Sequence, residues 1–436
     1  MSLVGEQERG TEARDELPAH SWAVHVGPGL VSTATDNDPS GVVTYSLAGA
    51  QFGYDMLWTF ALSYPSMVAF QLVAARIAAQ TGKGLTVNMR EHYSRLLFYL
   101  AVMRFLIANV FNIATDVVAM GVGAQLVWGG SVPLFAAAFG VLSMALQWRV
   151  PYARYARVLK WLAACLFAYV AVTVVSHTPW QTLALRAIVP RITWSEDYFT
   201  MLLAVLGTTI SPYLLFSQAE QQIEEQGPPS QFESKAADPA SHTRNPHLKK
   251  MRRDTLIRTA LSNGVGLFIM AAAAATLHAN GHGLANANDA ASVLRPLVGD
   301  YASHVTGIAF IGTALLALPA LAGSAANAVV SARDRLTGKQ HNRPVARALL
   351  VVMALGVSVG VALTLTHVEP IRALYWSAVL NGSTATPVMV MLVLLSMKRS
   401  AVGDLSAHWT LRALCWLATI FTGAALAARF ACEWLS

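Results

Sequence analysis

The sequence predicts an all-α integral membrane protein of about eleven transmembrane helices, arranged as two inverted five-helix halves with one helix left over. Three observations predict it. The 436 residues are 55% hydrophobic and only 13% charged, about half the charged share of a soluble domain. The charges are bunched between long apolar runs, as in a polytopic membrane protein. Two of those runs are interrupted at mid-length by proline and polar residues, in corresponding places of the two halves.

The candidate spans are residues 27–50, 55–80, 97–127, 131–148, 156–177, 198–222, 256–279, 302–332, 345–366, 371–397 and 409–432. The third exceeds what a bilayer needs, so it tilts or projects beyond the lipid. Spans one and six each carry the interruption, and each is followed by four further spans. An odd-numbered repeat must run in opposite orientation in its second copy, which makes the repeat inverted. The halves fall at about 25–178 and 197–398 of a single transporter domain, 25–433, with the extra helix at about 408–433.

The ends and connections fix the expected orientation. Residues 1–24 are polar and mixed in charge, with no basic stretch leading into an apolar core, so they read as a cytoplasmic tail and not a cleavable signal. One set of loops carries Arg76, Lys83, Arg90 and Arg95; Arg149, Arg154, Arg157 and Lys160; Lys235 to Arg253; Arg333 to Arg347; and Lys398 and Arg399. The opposite loops carry little beyond Arg186, Arg191 and Arg295. This asymmetry puts the N-terminus in the cytoplasm and the C-terminus outside, and the cell (plasma or inner) membrane is the expected location. It also explains the net charge of +7 without a nucleic-acid partner. Residues 226–254 begin Gly-Pro-Pro and end basic, and read as a flexible cytoplasmic loop near lipid headgroups. Cys165, Cys415 and Cys432 lie in or beside apolar runs without metal-ligand spacing, which assigns them to packing.

The chemistry concentrates in Thr33-Ala34-Thr35-Asp36-Asn37-Asp38-Pro39-Ser40-Gly41. A carboxylate at bilayer depth is costly and marks a functional site. Asp38 would supply a hard oxygen ligand to a dication. Pro39 and Gly41 would unwind the helix there, and Gly41 would leave room for water. The second interruption, Thr208-Thr209-Ile210-Ser211-Pro212-Tyr213, would face it. The freed carbonyls of Thr35 and Thr208 and the hydroxyl of Ser211 complete the expected set. The competing reading is a helix N-cap before proline; at bilayer depth Asp38 is assigned to function and Asp36 to capping.

Asp38-Pro39-Ser40-Gly41 resembles the Asp-Pro-Gly-Asn signature on the first helix of the NRAMP divalent-metal transporters. Ile210-Ser211-Pro212-Tyr213 is similar to that family's Met-Pro-His signature on the sixth helix, and Thr115-Asp116 to its third-helix Thr-Asp. The order, the depths and the eleven-span layout agree from about residue 25 to 433. The resemblance implies a LeuT-like inverted repeat with broken helices 1 and 6, alternating access, and transport without covalent chemistry or a cofactor. It also implies a tenth-helix polar ligand. Asn381 is the candidate, with a hinge or helix–helix hydrogen bond as its competing role; Asn381 and Gly382 are expected to interrupt span ten before Pro387.

The departures shape the substrate. The family's Asn aligns with Gly41, and its soft Met thioether with Ser211. Without a soft ligand, discrimination against hard dications weakens. A site of small side chains also suits Mg²⁺, which dehydrates reluctantly. These features resemble the NRAMP-related magnesium transporter branch, and the implied cargo is Mg²⁺ and Mn²⁺. The family's sixth-helix His aligns with Tyr213, and the acidic residue after its third-helix Asp aligns with Ala119. Two parts of a proton route are missing, leaving Asp116 and Tyr213 as helper positions and implying weak or absent proton coupling. A dication moving through 100 mV would gain about 4.6 kcal/mol, at roughly 2.3 per charge. Three rivals stay open: a proton-coupled Mn²⁺/Fe²⁺ transporter, an organic-cation or amino-acid carrier of the same fold, and a non-transporting subunit. No nucleotide loop, zinc-protease spacing or nucleophile elbow is present, so an enzyme is not expected, and a monomer is the expected state.

Overall fold

The computed structural model describes residues 36–150, 158–159, 161–162, 164–226, 246–333, 342–398 and 409–435. Its helices are α1 Pro39–Phe52, α2 Trp58–Thr81, α3 Leu85–His92, α4 Arg95–Trp128, α5 Val132–Arg149, α6 Ala168–Val175, α7 Trp180–Ile188 and α8 Glu196–Thr209. They continue as α9 Pro212–Gln226, α10 Pro246–Thr276, α11 Ala287–Ser292, α12 Arg295–Val298, α13 Ala302–Arg333, α14 Asn342–Thr364, α15 Pro370–Met397 and α16 Trp409–Leu435. No strand occurs among the described residues. In lipid this is the expected outcome, because a helix satisfies its own backbone polar groups without water.

Nine spans among the described residues are long and apolar enough to cross a membrane, with α8 and α9 counted together. Of the other two expected spans, the first is represented by the 14 residues of α1. The fifth is represented by the apolar stretch Ala164–Val175, which opens with a 3₁₀ turn. Residues 27–35 and 151–157 lie outside the described residues, so the count of eleven rests on the sequence there. The long third span is confirmed: α4 has 34 residues, about 51 Å at 1.5 Å per residue, against roughly 30 Å of hydrocarbon.

Three readings of the chain are corrected. Residues 246–254, read as the end of a flexible loop, are the opening turns of α10. The tail 1–24 and loop residues 227–245 lie outside the described residues. The tenth span is not interrupted at Asn381 and Gly382: α15 runs unbroken from Pro370 to Met397 with Pro387 inside it. Gly382 instead lets α15 approach α8, since a Cβ there would collide with the Leu203 carbonyl, and one on Gly207 with the Gly382 backbone. Small residues at such contacts are how membrane helices pack closely. Third, Gly41 does not unwind the chain. It lies in the first turn of α1, and the break falls before it, at Asn37 and Asp38.

α1 lies at the centre, packed against α10, α15 and α8 and touching α4. The long α4 packs chiefly along α13 and α14. Eleven of the fourteen residues of α1 are buried, so a polar group on it is screened from both lipid and bulk water. Cys165, Cys415 and Cys432 are free thiols.

Candidate cation site at the two helix breaks

Pro39 lacks an N–H and presets a helical φ, so it opens α1 and leaves Asp38 as the N-cap. The Asp38 Oδ1 atom accepts from the Gly41 N–H at 2.8 Å and from the Ser40 hydroxyl at 2.8 Å. The capping reading therefore holds, and the same side chain places a carboxylate, 4% exposed, at a break inside the bundle. The cap belongs to Asp38 and not to Asp36, whose carboxylate is bonded by the Ser262 hydroxyl of α10. Gly41 contributes room: a Cβ there would stand 3.4 Å from Asp38 Oδ1.

The second break separates α8 from α9 at Ile210 and Ser211. Ile210 leaves the helix with φ −120° and ψ 57°, and Pro212 opens α9. The Ser211 hydroxyl lies 2.8 Å from the Gly207 carbonyl and 3.0 Å from that of Thr208 and donates to them. The Thr208 hydroxyl donates to Val205 at 2.9 Å. Ser211 thus spends its proton on its own helix end, leaving oxygen lone pairs as its only means of ligating a cation. The α8 C-terminus, with the negative end of its dipole, points at the break, an arrangement that favours a cation.

The remaining predicted residues fall as follows. Asp116 is fully buried on α4, and neither of its carboxylate oxygens has a hydrogen-bond partner. Asp116 and Tyr213 both lie within electrostatic reach of Asp38. Asn381 is 4% exposed on α15, the helix packed against α1, while the bonds that hold Asp38 come from Ser40 and Gly41. Thr35 lies outside the described residues. Among the described residues no three His, Cys, Asp or Glu side chains converge, so a cation at the break would be held by one carboxylate and neutral oxygens.

Of three further contacts, two carry no signal in the sequence. Asn37 Nδ2 donates to the Ser262 carbonyl at 3.2 Å and to its hydroxyl at 3.1 Å, tying the first break to α10. The Ser377 hydroxyl of α15 bonds the Asn112 amide oxygen of α4. The Ser40 bond to Asp38 had a local signal, a hydroxyl two residues after a carboxylate; the other two join residues far apart in the chain.

Comparison with known proteins places this architecture. Divalent metal cation transporter MntH of Klebsiella pneumoniae subsp. pneumoniae is 27% identical over 299 residues, 66% of this chain and 68% of its own length. The Eremococcus coleocola manganese transporter, solved with an aromatic bis-isothiourea compound, superposes with a TM-score of 0.71 at 16% identity, covering 92% of this chain and 85% of that one. MhsT, solved with L-phenylalanine, superposes with a TM-score of 0.60 at 12% identity over 94% of this chain and 99% of its own. The likeness to these solved structures shows a shared fold. The model of the natural resistance-associated macrophage protein-like family matches residues 29–431, nearly the whole chain, and the chain belongs to that family.

Proposed function

We propose that this protein is a secondary transporter that imports divalent metal cations, Mg²⁺ and Mn²⁺, by alternating access with weak or no proton coupling. The observation that carries the reading is the buried Asp38 carboxylate at a helix break, on a helix packed against α8. A lone carboxylate with hydroxyl and carbonyl oxygens is a hard-ligand set, suited to a dication that retains part of its water. The names of the relatives, a divalent metal cation transporter and a manganese transporter, support the cargo class. The choice of Mg²⁺ beside Mn²⁺ rests on Ser211 and Gly41, which offer neither a thioether nor an amide. Weak coupling rests on Tyr213, a poor proton carrier near neutral pH compared with histidine. The metal is cargo, so no resident cofactor is required, and the reading is of a transporter and not an enzyme.

The proposed ligands are Asp38, Thr35, Thr208, Ser211 and Asn381, with Gly41 providing space and Asp116 and Tyr213 as neighbours. The protein would sit in the cell membrane with its N-terminus in the cytoplasm, its halves 25–178 and 197–398 rocking about the breaks.

One observation favours the rival of proton-coupled Mn²⁺/Fe²⁺ transport. The Asp116 carboxylate has no hydrogen-bond partner, and a buried carboxylate without one is costly in its charged form, so it could accept a proton. Uptake of Mg²⁺ and Mn²⁺ into proteoliposomes containing a pH dye separates the two. Uptake of both ions without acidification supports the proposal. Mn²⁺ uptake with acidification and exclusion of Mg²⁺ would replace it with the proton-coupled reading.

A further inference from the structure

A second polar pocket lies beside the first break. It is a cavity of about 10 Å³ lined by Asp36, Thr208, Thr209, Thr259, Ser262 and Asn263, with Met67 on its apolar side. That is room for about one water molecule or one ion without its hydration shell. Its polar lining comes from the stretch before α1, α1 through Tyr45, the last turn of α8, and α10, with Met67 of α2 and Leu214 of α9 closing it.

The hydrogen bonds of the lining residues leave oxygen capacity facing the cavity. The Thr208 and Thr209 hydroxyls both donate to the Val205 carbonyl, each at 2.9 Å; the Tyr45 phenol also bonds Thr208, so the lone pairs of Thr209 and the remaining one of Thr208 are available. Ser262 bonds the Asp36 carboxylate and accepts from Asn37. The Asn263 amide oxygen accepts from the Ser63 hydroxyl at 2.9 Å, and its nitrogen donates to the Thr259 carbonyl at 3.1 Å. The Thr259 hydroxyl is the exception: the residue is 2% exposed and its oxygen has no hydrogen-bond partner. A buried hydroxyl is rarely left so, because its lost hydration goes uncompensated. An occupant of the cavity would compensate it.

Charge and size narrow the occupant. The groups acting on Asp36 are Arg258, which attracts it, and Asp38, which repels it. Arg258 forms no ion pair with Asp36 among the described residues. It donates instead to the Gln71 amide oxygen at 3.4 Å and to that of Gln218. Two carboxylates and one guanidinium leave about one unit of negative charge. A dication such as Mg²⁺ keeps several waters and exceeds the space.

We infer that this pocket is a second cation site, taking a single unhydrated monovalent ion of Na⁺ size, centred on Asp36 and adjoining the dication position at Asp38 through Thr208. Asp36 supplies the charge, and Thr208, Thr209, Thr259 and Ser262 supply hydroxyl oxygens. The bound ion would link the chain before α1 to α8 and α10, and so steady one arrangement of the two breaks.

Thermal unfolding of the purified full-length protein in NaCl, KCl or choline chloride at equal ionic strength tests this without relying on metal uptake. NaCl is expected to raise Tm over choline in a saturable way, by roughly 1–2 °C once the ion is several-fold above its Kd. KCl should do less. Asp36→Asn should abolish the shift and Thr259→Val should reduce it. Should Asp36→Asn fail to fold, the comparison rests on Thr259→Val and Ser262→Ala. Equal Tm in NaCl and choline would mean that a water fills the cavity and would overturn the inference. A Na⁺ shift that survives Asp36→Asn and Thr259→Val, or one matched by K⁺, would also overturn it.

Discussion

The two helix breaks lie on helices packed against each other but are built on different chemistry. The first carries a full charge. Asp38 caps α1, and a hydroxyl and an N–H, each 2.8 Å away, orient its Oδ1. The second carries none. Its Ser211 hydroxyl turns back onto the Gly207 and Thr208 carbonyls of the same helix. One half therefore supplies the attraction for a cation, and the other supplies shape and the negative end of a helix dipole. Interruption of a transmembrane helix identifies where a site is; the residue at the interruption decides what it does.

The strongest way to break this asymmetry is to remove the charge. Asp38→Ala is expected to lower uptake of any dication by on the order of 100-fold or more, as for loss of a buried charge partner worth roughly 3–5 kcal/mol. Radiotracer flux would measure it, and flux within a few-fold of wild type would show that the break serves packing alone. Next comes the hydroxyl that orients the carboxylate. Ser40→Ala removes a charge-assisted bond of about 1.5–3 kcal/mol, so apparent metal affinity should fall by about tenfold or more, read from the concentration dependence of uptake.

The second break should behave otherwise. Ser211→Met introduces a soft ligand beside a hard one and is expected to raise the ratio of Mn²⁺ to Mg²⁺ uptake severalfold, measured by competition flux. Ser211→Ala removes only a helix-end bond. It should cost about 1 kcal/mol of stability, seen as a drop of about 1 °C in Tm, with both ions still carried. Tyr213→His places a group that titrates near neutral pH within reach of Asp38. It is expected to make uptake depend on pH between about 5 and 8; a profile unchanged from wild type would mean that residue 213 plays no part in coupling.

How much of this was legible in the sequence differs between the two breaks. The first was plain, because a carboxylate beside proline in an apolar run violates the ordinary solvation rule for a membrane span. Its exact place was not: Gly41 suggested unwinding, yet with Pro39 fixing the helix start the glycine falls inside α1. Asn381 and Gly382 misled for a related reason. Glycine next to asparagine in a span suits a hinge and suits a close helix contact equally well, and only the position of Leu203 on α8 decides for contact. The role of Ser262 was out of reach, since its partners at 36 and 37 lie at the other end of the chain and α10 carries no interruption to mark it. Likewise, composition cannot reveal that Asp116 is without partners, because bareness depends on what α4's neighbours fail to supply.

The most direct measurement is calorimetric titration of Mg²⁺ and of Mn²⁺ into the purified wild-type protein and Asp38→Asn, a near-isosteric change that removes the charge and keeps the cap. Binding of both ions to the wild type with affinities within about tenfold of each other, as a site without a soft ligand implies, and loss of both in Asp38→Asn, is the expected result. Mn²⁺ binding that persists undiminished in Asp38→Asn would contradict a cation site at the first break.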